Sequence, residues 1–298
     1  MGREATAPQH ADRLRFSSPV IDVGDFRCDA AHPLFAAAVP TTGYCFVFPR
    51  NPLWIQHDGR RPFVADANVV PLYNPGHPFR RSRITGDGAR TDWFSISPAV
   101  LRQMLRPLDA RAADAATRLF RFDFGRVSAR TFLKQRAVLA HVSRSKAPDV
   151  LFVEETAIAV LDDILSHLYG KAPRPVTSRA HRVLAEDTRA CLGQTFASPM
   201  GLSDLARALD TSVFHLCRVF RHCTGSTIHG YRNELRLRRS LDLLDESAGD
   251  ILSIALALGY SGHSHFTGVF RRAFGLTPSS YRDATRTTRG RLLEQARS

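Results

Sequence analysis

Leu202-Ser-Asp-Leu-Ala-Arg-Ala-Leu-Asp-Thr-Ser-Val-Phe-His-Leu-Cys-Arg-Val-Phe-Arg-His-Cys-Thr-Gly225 and Ile251-Leu-Ser-Ile-Ala-Leu-Ala-Leu-Gly-Tyr-Ser-Gly-His-Ser-His-Phe-Thr-Gly-Val-Phe-Arg-Arg-Ala-Phe-Gly275 carry one pattern twice. Leu205–Leu209 lies over Ile254–Leu258 at an offset of 49. One extra residue near Gly262 raises the offset to 50, and the match continues. His215-Leu216 then meets His265-Phe266, Val219-Phe-Arg221 meets Val269-Phe-Arg271, Gly225 meets Gly275, and Tyr231-Arg232 meets Tyr281-Arg282. A repeat at a fixed period signals one supersecondary unit used twice. Each copy predicts a helix, a tight turn and a second helix. Gly259 suits a left-handed turn position, and Asp210 is one of the few other residues that tolerates it. Ser212 and Ser261 offer hydroxyls as N-caps for the second helices. Ala206 and Ala255 are small enough for the close approach of two steeply crossing helices. Leu216, Val219 and Phe220 in one copy, and Phe266, Val269 and Phe270 in the other, are the expected buried residues.

The opposite face of each second helix is the candidate site. Phe214, Cys217, Arg218 and Arg221 are spaced i, i+3, i+4, i+7 on one side. Their counterparts are Ser264, Thr267, Gly268 and Arg271, with His263 at the N-terminal end. An α-helix fits the major groove of B-DNA, where Arg makes two hydrogen bonds to guanine and small groups meet thymine methyls. Arg218 is expected to read a base, with Phe214 and Cys217 as apolar neighbours. His263, Ser264 and Thr267 are the base-reading candidates of the second helix. Arg221 and Arg271, one turn further on, are expected at phosphates, where they set register. The helical stretch Ile228 to Glu246, with Leu235, Leu237, Leu241 and Leu244 in its apolar set, would hold the two helices for successive major grooves, roughly 34 Å apart.

Upstream the pattern changes. From Phe16 to Pro98 short apolar runs alternate with turn signals, as in an all-β sandwich or small barrel. Tyr44–Phe48, Leu53–His57, Pro62–Ala65, Asn68–Tyr73 and Thr91–Ile96 read as strands, with turns at Asp58-Gly59 and Asn74-Pro75-Gly76. Residues 98–169 turn helical. One helix from about Asp149 to Tyr169 sets Val153, Ala157, Val160, Leu161, Ile164 and Leu168 in a stripe, behind a polar face of Glu154, Glu155, Asp162 and Asp163. That stripe packs within its own domain or forms a dimer seam. Residues 171–178, with two prolines, read as a linker. The domain boundaries that follow are 1–170, a linker at 171–178, 179–284 for the repeated helices, and a basic tail over 285–298. A fragment starting near Ser178 is expected to bind DNA by itself.

Charge adds less than its size suggests. Formal net charge is +13, compatible with a polyanionic partner. Yet residues 179–298 carry 17 Arg against 11 acids and residues 1–178 carry 24 basic groups against 17 acidic ones, so the excess does not locate a site. The five cysteines, Cys28, Cys45, Cys191, Cys217 and Cys223, form no CxxC pair, which argues against a zinc finger or a disulfide framework. No apolar run reaches the length of about 18 residues that a membrane helix needs, and residues 1–15 lack the apolar core of a secretory signal. The cytoplasm is the expected compartment, with reduced thiols.

Residues 202–282 resemble the AraC/XylS transcription regulators. The resemblance rests on Leu205-Ala206, Ser212-x-x-His215-Leu216-x-Arg218-x-Phe220, Gly225, the Arg236–Leu244 spacer and Ile254-Ala255-x-x-x-Gly259-Tyr260. It continues through Ser264-His265-Phe266-x-x-x-Phe270-Arg271, Gly275, Thr277-Pro278 and Tyr281-Arg282. It implies base-reading positions at Phe214, Cys217 and Arg218, then at His263, Ser264, Thr267 and Gly268. Two departures stand out. Gly268 occupies a position where the family usually has a long polar residue, and Cys217 replaces a commoner polar reader, so the first helix should dominate specificity. The N-terminal zone resembles the family's cupin-like sensing domains. The implied fold class is α+β: a cupin-like β-barrel with helices, then an all-α DNA-binding domain of two helix-turn-helix units joined by a long helix. The implied partners are double-stranded promoter DNA, a small-molecule effector, a second copy of the chain, and RNA polymerase if the protein activates. No cofactor, no catalytic residue and no membrane partner is expected.

Three rival readings start from particular residues. A metal-dependent cupin enzyme needs a His-x-His pair in the barrel. His57 and His77 stand alone there, and His263-Ser-His265 lies on a helix where i and i+2 diverge. A non-specific architectural DNA binder would fit the dispersed charge but not the long upstream region. Oxidation of Cys217 or Cys223, in or beside the first recognition helix, would give a redox sensor, against the simpler reading of inert thiols.

Overall fold

The computed structural model describes residues 10–170, 178–246 and 249–286. Two compact units make up the chain, Met1–Gly125 and Arg126–Ser298. Residues 171–177 of the expected linker (171–178), residues 287–298 of the expected tail, and residues 1–9 and 247–248 fall outside the described residues.

In the first unit the strands are β1 (His10–Ser17), β2 (Ile21–Cys28), β3 (Val39–Pro40), β4 (Tyr44–Pro49), β5 (Leu53–His57), β6 (Phe63–Ala65), β7 (Val69–Tyr73), β8 (Pro78–Arg83), β9 (Ala89–Ile96) and β10 (Phe124–Arg126). The larger sheet has the order β1-β2-β9-β4-β7-β10 and the smaller β3-β8-β5-β6. The two sheets share one apolar core, where the sequence reading expects a cupin-like barrel. β9 runs antiparallel between β2 and β4, so Phe94 pairs with Val23 on one side and Phe46 on the other. The rings of Phe46 and Phe94 stack at 5.0 Å. The core joins Leu53, Ile55 and Phe63 of the smaller sheet to Val47, Val69 and Tyr73 of the larger. Gly59 and Gly76 take φ of 66° and 75° at the two expected turns. Asn74 pins the segment after the short helices α1 (Pro98–Leu105) and α2 (Ala110–Ala113). Its amide donates to the Phe120 carbonyl at 3.0 Å and its Oδ1 accepts from the Phe120 N–H at 2.9 Å.

Strands extend beyond the expected β zone of 16–98 at both ends. β1 begins at His10 and buries a single side chain, Phe16. A strand exposed on nearly all positions carries no apolar alternation to read. β8, Pro-Phe-Arg-Arg-Ser-Arg, is polar for the same reason, and β10 is only three residues long.

The second unit begins with α3 (Ala129–Arg144) and α4 (Val150–Tyr169), which pack on one another. Asp149 caps α4 by accepting from the Phe152 N–H. Val153, Ala157, Val160, Leu161 and Ile164 of the expected stripe are buried, joined by Thr156 and Leu165, while Leu168 is half-buried. Then come α5 (Arg179–Thr195), α6 (Leu202–Ala208), α7 (Val213–Thr224), α8 (Ile228–Glu246), α9 (Ile251–Ala257), α10 (His263–Phe274) and α11 (Pro278–Arg286). α3 and α4 therefore group with the repeated helices, where the sequence reading places them with the barrel. The physical tie is a buried ion cluster. Arg136 of α3, 7% exposed, pairs with Asp242 at 3.1 Å and with Asp245, both on α8. Tyr281 of α11 donates to Asp245 at 3.1 Å. Arg238 of α8 donates to the Val127 carbonyl just before α3, at 2.6 Å.

Candidate nucleic-acid interface

Three helices make each repeat, α5-α6-α7 and α8-α9-α10, and α8 starts 49 residues after α5. The turns use one bonding scheme. Thr211 N–H reaches back to the Ala206 carbonyl and Tyr260 N–H to the Ala255 carbonyl, each at 3.0 Å. Such a bond closes a helix end around a left-handed residue. That residue is Asp210 with φ 48° in the first copy and Gly259 with φ 78° in the second. Ala206 and Ala255 are buried beneath the turns. Gly225 and Gly275 end α7 and α10 in left-handed C-caps.

Entry into the recognition helices differs. Ser212 caps α7, its Oγ accepting from the His215 N–H at 3.2 Å. Ser261 does not cap α10. The extra residue Gly262 moves the helix start to His263, Gly262 itself takes the N-cap position with extended backbone, and no side chain caps the helix. The Ser261 hydroxyl instead contacts His265 Nδ1 at 3.0 Å.

The expected reading residues fall on the outer faces of α7 and α10. On α7, Phe214 is 78% exposed, an apolar side chain held in water. Arg218 and Arg221 are exposed and Cys217 is half-buried beside them. On α10, His263, Ser264 and Arg271 are exposed, while Thr267 and Gly268 are half-buried. Among the described residues, Arg218, Arg221 and Arg271 have no carboxylate partner, so their charge is available to a ligand. Thr267 Oγ1 is enclosed and makes no hydrogen bond, so in this rotamer its hydroxyl does not face outward. A Cβ added at Gly268 would lie 3.8 Å from Arg272 Nη1 and meet nothing else, so the bare backbone here is not demanded by packing. Leu216, Val219 and Phe220 are buried as expected. Val269 is only half-buried, because its side chain lines an open cleft between α8 and α10.

Arginines inside the unit tie α5 to α8 and to the second turn. Arg189 of α5 is buried, holds Glu186 at 2.7 Å and donates to the Tyr231 hydroxyl of α8 at 2.9 Å. Arg236 of α8 donates to the Phe196 carbonyl at 2.6 Å and to the Gly259 carbonyl at 3.0 Å, joining the end of α5 to the second turn. Burial, then the neighbouring charge of Arg232, pulls the Arg236 guanidinium below its usual pKa. Sequence reading treats the Arg236 segment as a spacer and misses this role. Only the three-dimensional meeting of residues 196, 236 and 259 reveals it.

In the barrel, His57 is buried against Phe63 and Tyr73, and burial pushes its imidazole pKa down. Among the described residues no group of three His, Cys, Asp or Glu side chains is placed to hold a metal ion. No described helix is long and apolar enough to cross a membrane.

Two recognition helices in a duplicated three-helix plan, each with an outward face, define a double helix-turn-helix protein. A family model described as a helix-turn-helix domain matches residues 205–284. The regulatory protein SoxS of Escherichia coli is 32% identical over 103 residues, which is 35% of this chain and 96% of SoxS. The transcriptional activator RhaR of Mannheimia succiniciproducens is 33% identical over 97 residues, so the match spans 33% of this chain and about a third of RhaR, 35%. A solved AraC-type regulator from Chromobacterium violaceum is 27% identical over 36% of this chain and 96% of its own, at a TM-score of 0.34. The chain belongs to the AraC/XylS family of transcription regulators.

Proposed function

We propose that this protein is a sequence-specific DNA-binding transcription regulator that reads adjacent major grooves of promoter DNA with α7 and α10. One observation carries the reading: unpaired arginines and exposed Phe214 stand on the outer face of a recognition helix whose inner face is fully buried. Arg218 reads a base, with Phe214 and Cys217 beside it. His263 and Ser264 form the second reading face, with backbone approach at Gly268, and Thr267 joins it by a rotamer change that turns its enclosed hydroxyl outward. Arg221 and Arg271 hold phosphates. The barrel is a sensing or dimerising domain for a small-molecule effector, and the protein acts without catalysis in the cytoplasm. RNA polymerase is a partner if it activates, and a second copy is a partner if it dimerises.

Selection of duplexes from a random pool by the full chain tests the reading. An enriched motif with two half-elements about one helical turn apart is expected. Binding that survives only at low salt and ignores competitor sequence would point to an architectural binder and sink sequence-specific regulation.

A further inference from the structure

In the first repeat, α5 lies along α7 and closes one flank of it. The His181 ring sits edge-on to His215 at 5.5 Å, and Cys223 Sγ lies 3.5 Å from the His181 carbonyl. α8 occupies the place of α5 in the second repeat, yet it stands off from α10. A cleft of about 380 Å³ opens between them, lined by His229, Asn233 and Arg236 of α8, by Tyr260 of the turn, and by His265 and Arg272 of α10, with apolar side chains behind. Leaving one flank of α10 unsealed is where the duplication loses its symmetry.

The polar chemistry of the cleft has one sign. No carboxylate lines it. The Tyr260 hydroxyl donates to Asn233 Oδ1 at 3.1 Å, which leaves the Asn233 amide N–H groups as donors. Arg236 is fixed by its two carbonyl contacts and contributes charge from behind. Arg272 is exposed and has no carboxylate partner among the described residues. Its Nη1 lies near the bare backbone of Gly268, at the border between the cleft and the reading face. Guanidinium and imidazole donors without a competing acid select an oxyanion. Half or more of the hydrogen bonds in protein–DNA complexes go to phosphate and sugar, many of them from arginines that read no base.

We propose that this cleft seats one phosphate group through Arg272, His265 and His229, and that in the DNA complex it is a backbone phosphodiester bordering the groove entered by α10. The inference rests on the DNA-binding reading above. It gives the second unit an anchor where the side chain at position 268 is missing, one that adds affinity without base preference.

The test compares the full chain with the double variant His229→Gln/Arg272→Gln. Binding to a duplex recovered by the wild type from a random pool, and to an unrelated duplex, is measured over a salt series. The variant is expected to lose about tenfold affinity for both, with the slope of log K against log salt shallower by about one. Arg272→Lys, which keeps the charge, should restore most of that slope. A second arm titrates inorganic phosphate into the DNA-free chain, followed by imidazole NMR signals. Signals that move in the wild type and not in the double variant support the seat. An unchanged salt slope together with phosphate-sensitive signals would overturn the DNA assignment and make the occupant a free phosphate. An unchanged slope with no phosphate response overturns the proposal. If the wild type recovers no duplex, the DNA reading itself fails, and the phosphate arm alone decides the seat.

Discussion

At the first turn the chain holds Asp210 at φ 48°, a non-glycine residue in a left-handed position, whereas the second turn uses Gly259 at 78°. The first recognition helix is capped by a side chain, Ser212, and the second starts from Gly262 without one. Arg218 on α7 has as its counterpart Gly268 on α10. The first repeat is thus specified by side chains and the second by glycines, over one backbone plan. The shared parts are the buried alanines, the turn bonds and the apolar inner faces. These suffice to define the unit, and the outer residues are left free to diverge. One turn does demand glycine: a Cβ at position 259 would lie 2.5 Å from the Ala197 carbonyl and 2.7 Å from Arg236 Nη2.

Exchanging residues between the repeats tests this contrast, beginning with the largest effect. Gly259→Asp, which copies the first turn into the second, should destabilise the protein by about 2–4 kcal/mol, through left-handed strain plus the clash with Ala197. The reciprocal Asp210→Gly should change stability by less than about 1 kcal/mol. Urea unfolding reads both, and equal costs would show that the turns are interchangeable.

Arg218→Ala should weaken specific binding by about 1–3 kcal/mol and relax base preference at one position, while Arg271→Ala should weaken all sequences alike. Competition against single-base operator variants separates them, and an unchanged preference in Arg218→Ala would remove the first helix as the dominant reader. Ser212→Ala should cost about 1 kcal/mol of stability and Ser261→Ala only a few tenths, since only the first is a cap. Matching losses in thermal melts would contradict the displaced start of α10. Last, Gly268→Ala should raise stability by roughly 0.5–1 kcal/mol, because a methyl fits there and glycine weakens a helix interior. A loss would mean that the bare backbone serves the fold after all.

Much of this was legible beforehand for a physical reason: the repeat compared the chain with itself. The turn at Asp210 and Gly259, the alanines beneath it and the cap at Ser212 follow from residue chemistry at matched positions. The start of α10 did not, because one inserted glycine shifts a helix start without altering the apolar period. Strands β1 and β8 escaped notice because solvent-facing strands have no alternation, while β4, β5 and β7 sit in the core and announce themselves. The open flank of α10 and the bridging role of Arg236 depend on how two helices stand apart, which no local pattern encodes.

The buried cluster of Arg136 with Asp242 and Asp245 bears on how such regulators could be recombined. A sensing module grafted at residues 171–177 would deliver α8 without Arg136, leaving Asp242 to Arg239 and Asp245 to the Tyr281 hydroxyl, with both carboxylates mostly enclosed. Removing one partner of a buried ion pair typically costs about 3–5 kcal/mol. A graft made at Gly125 keeps the cluster whole. Chimeras cut at the earlier seam should therefore yield folded, soluble protein more often than those cut at the later one, and the unit of inheritance for DNA reading would include α3 and α4.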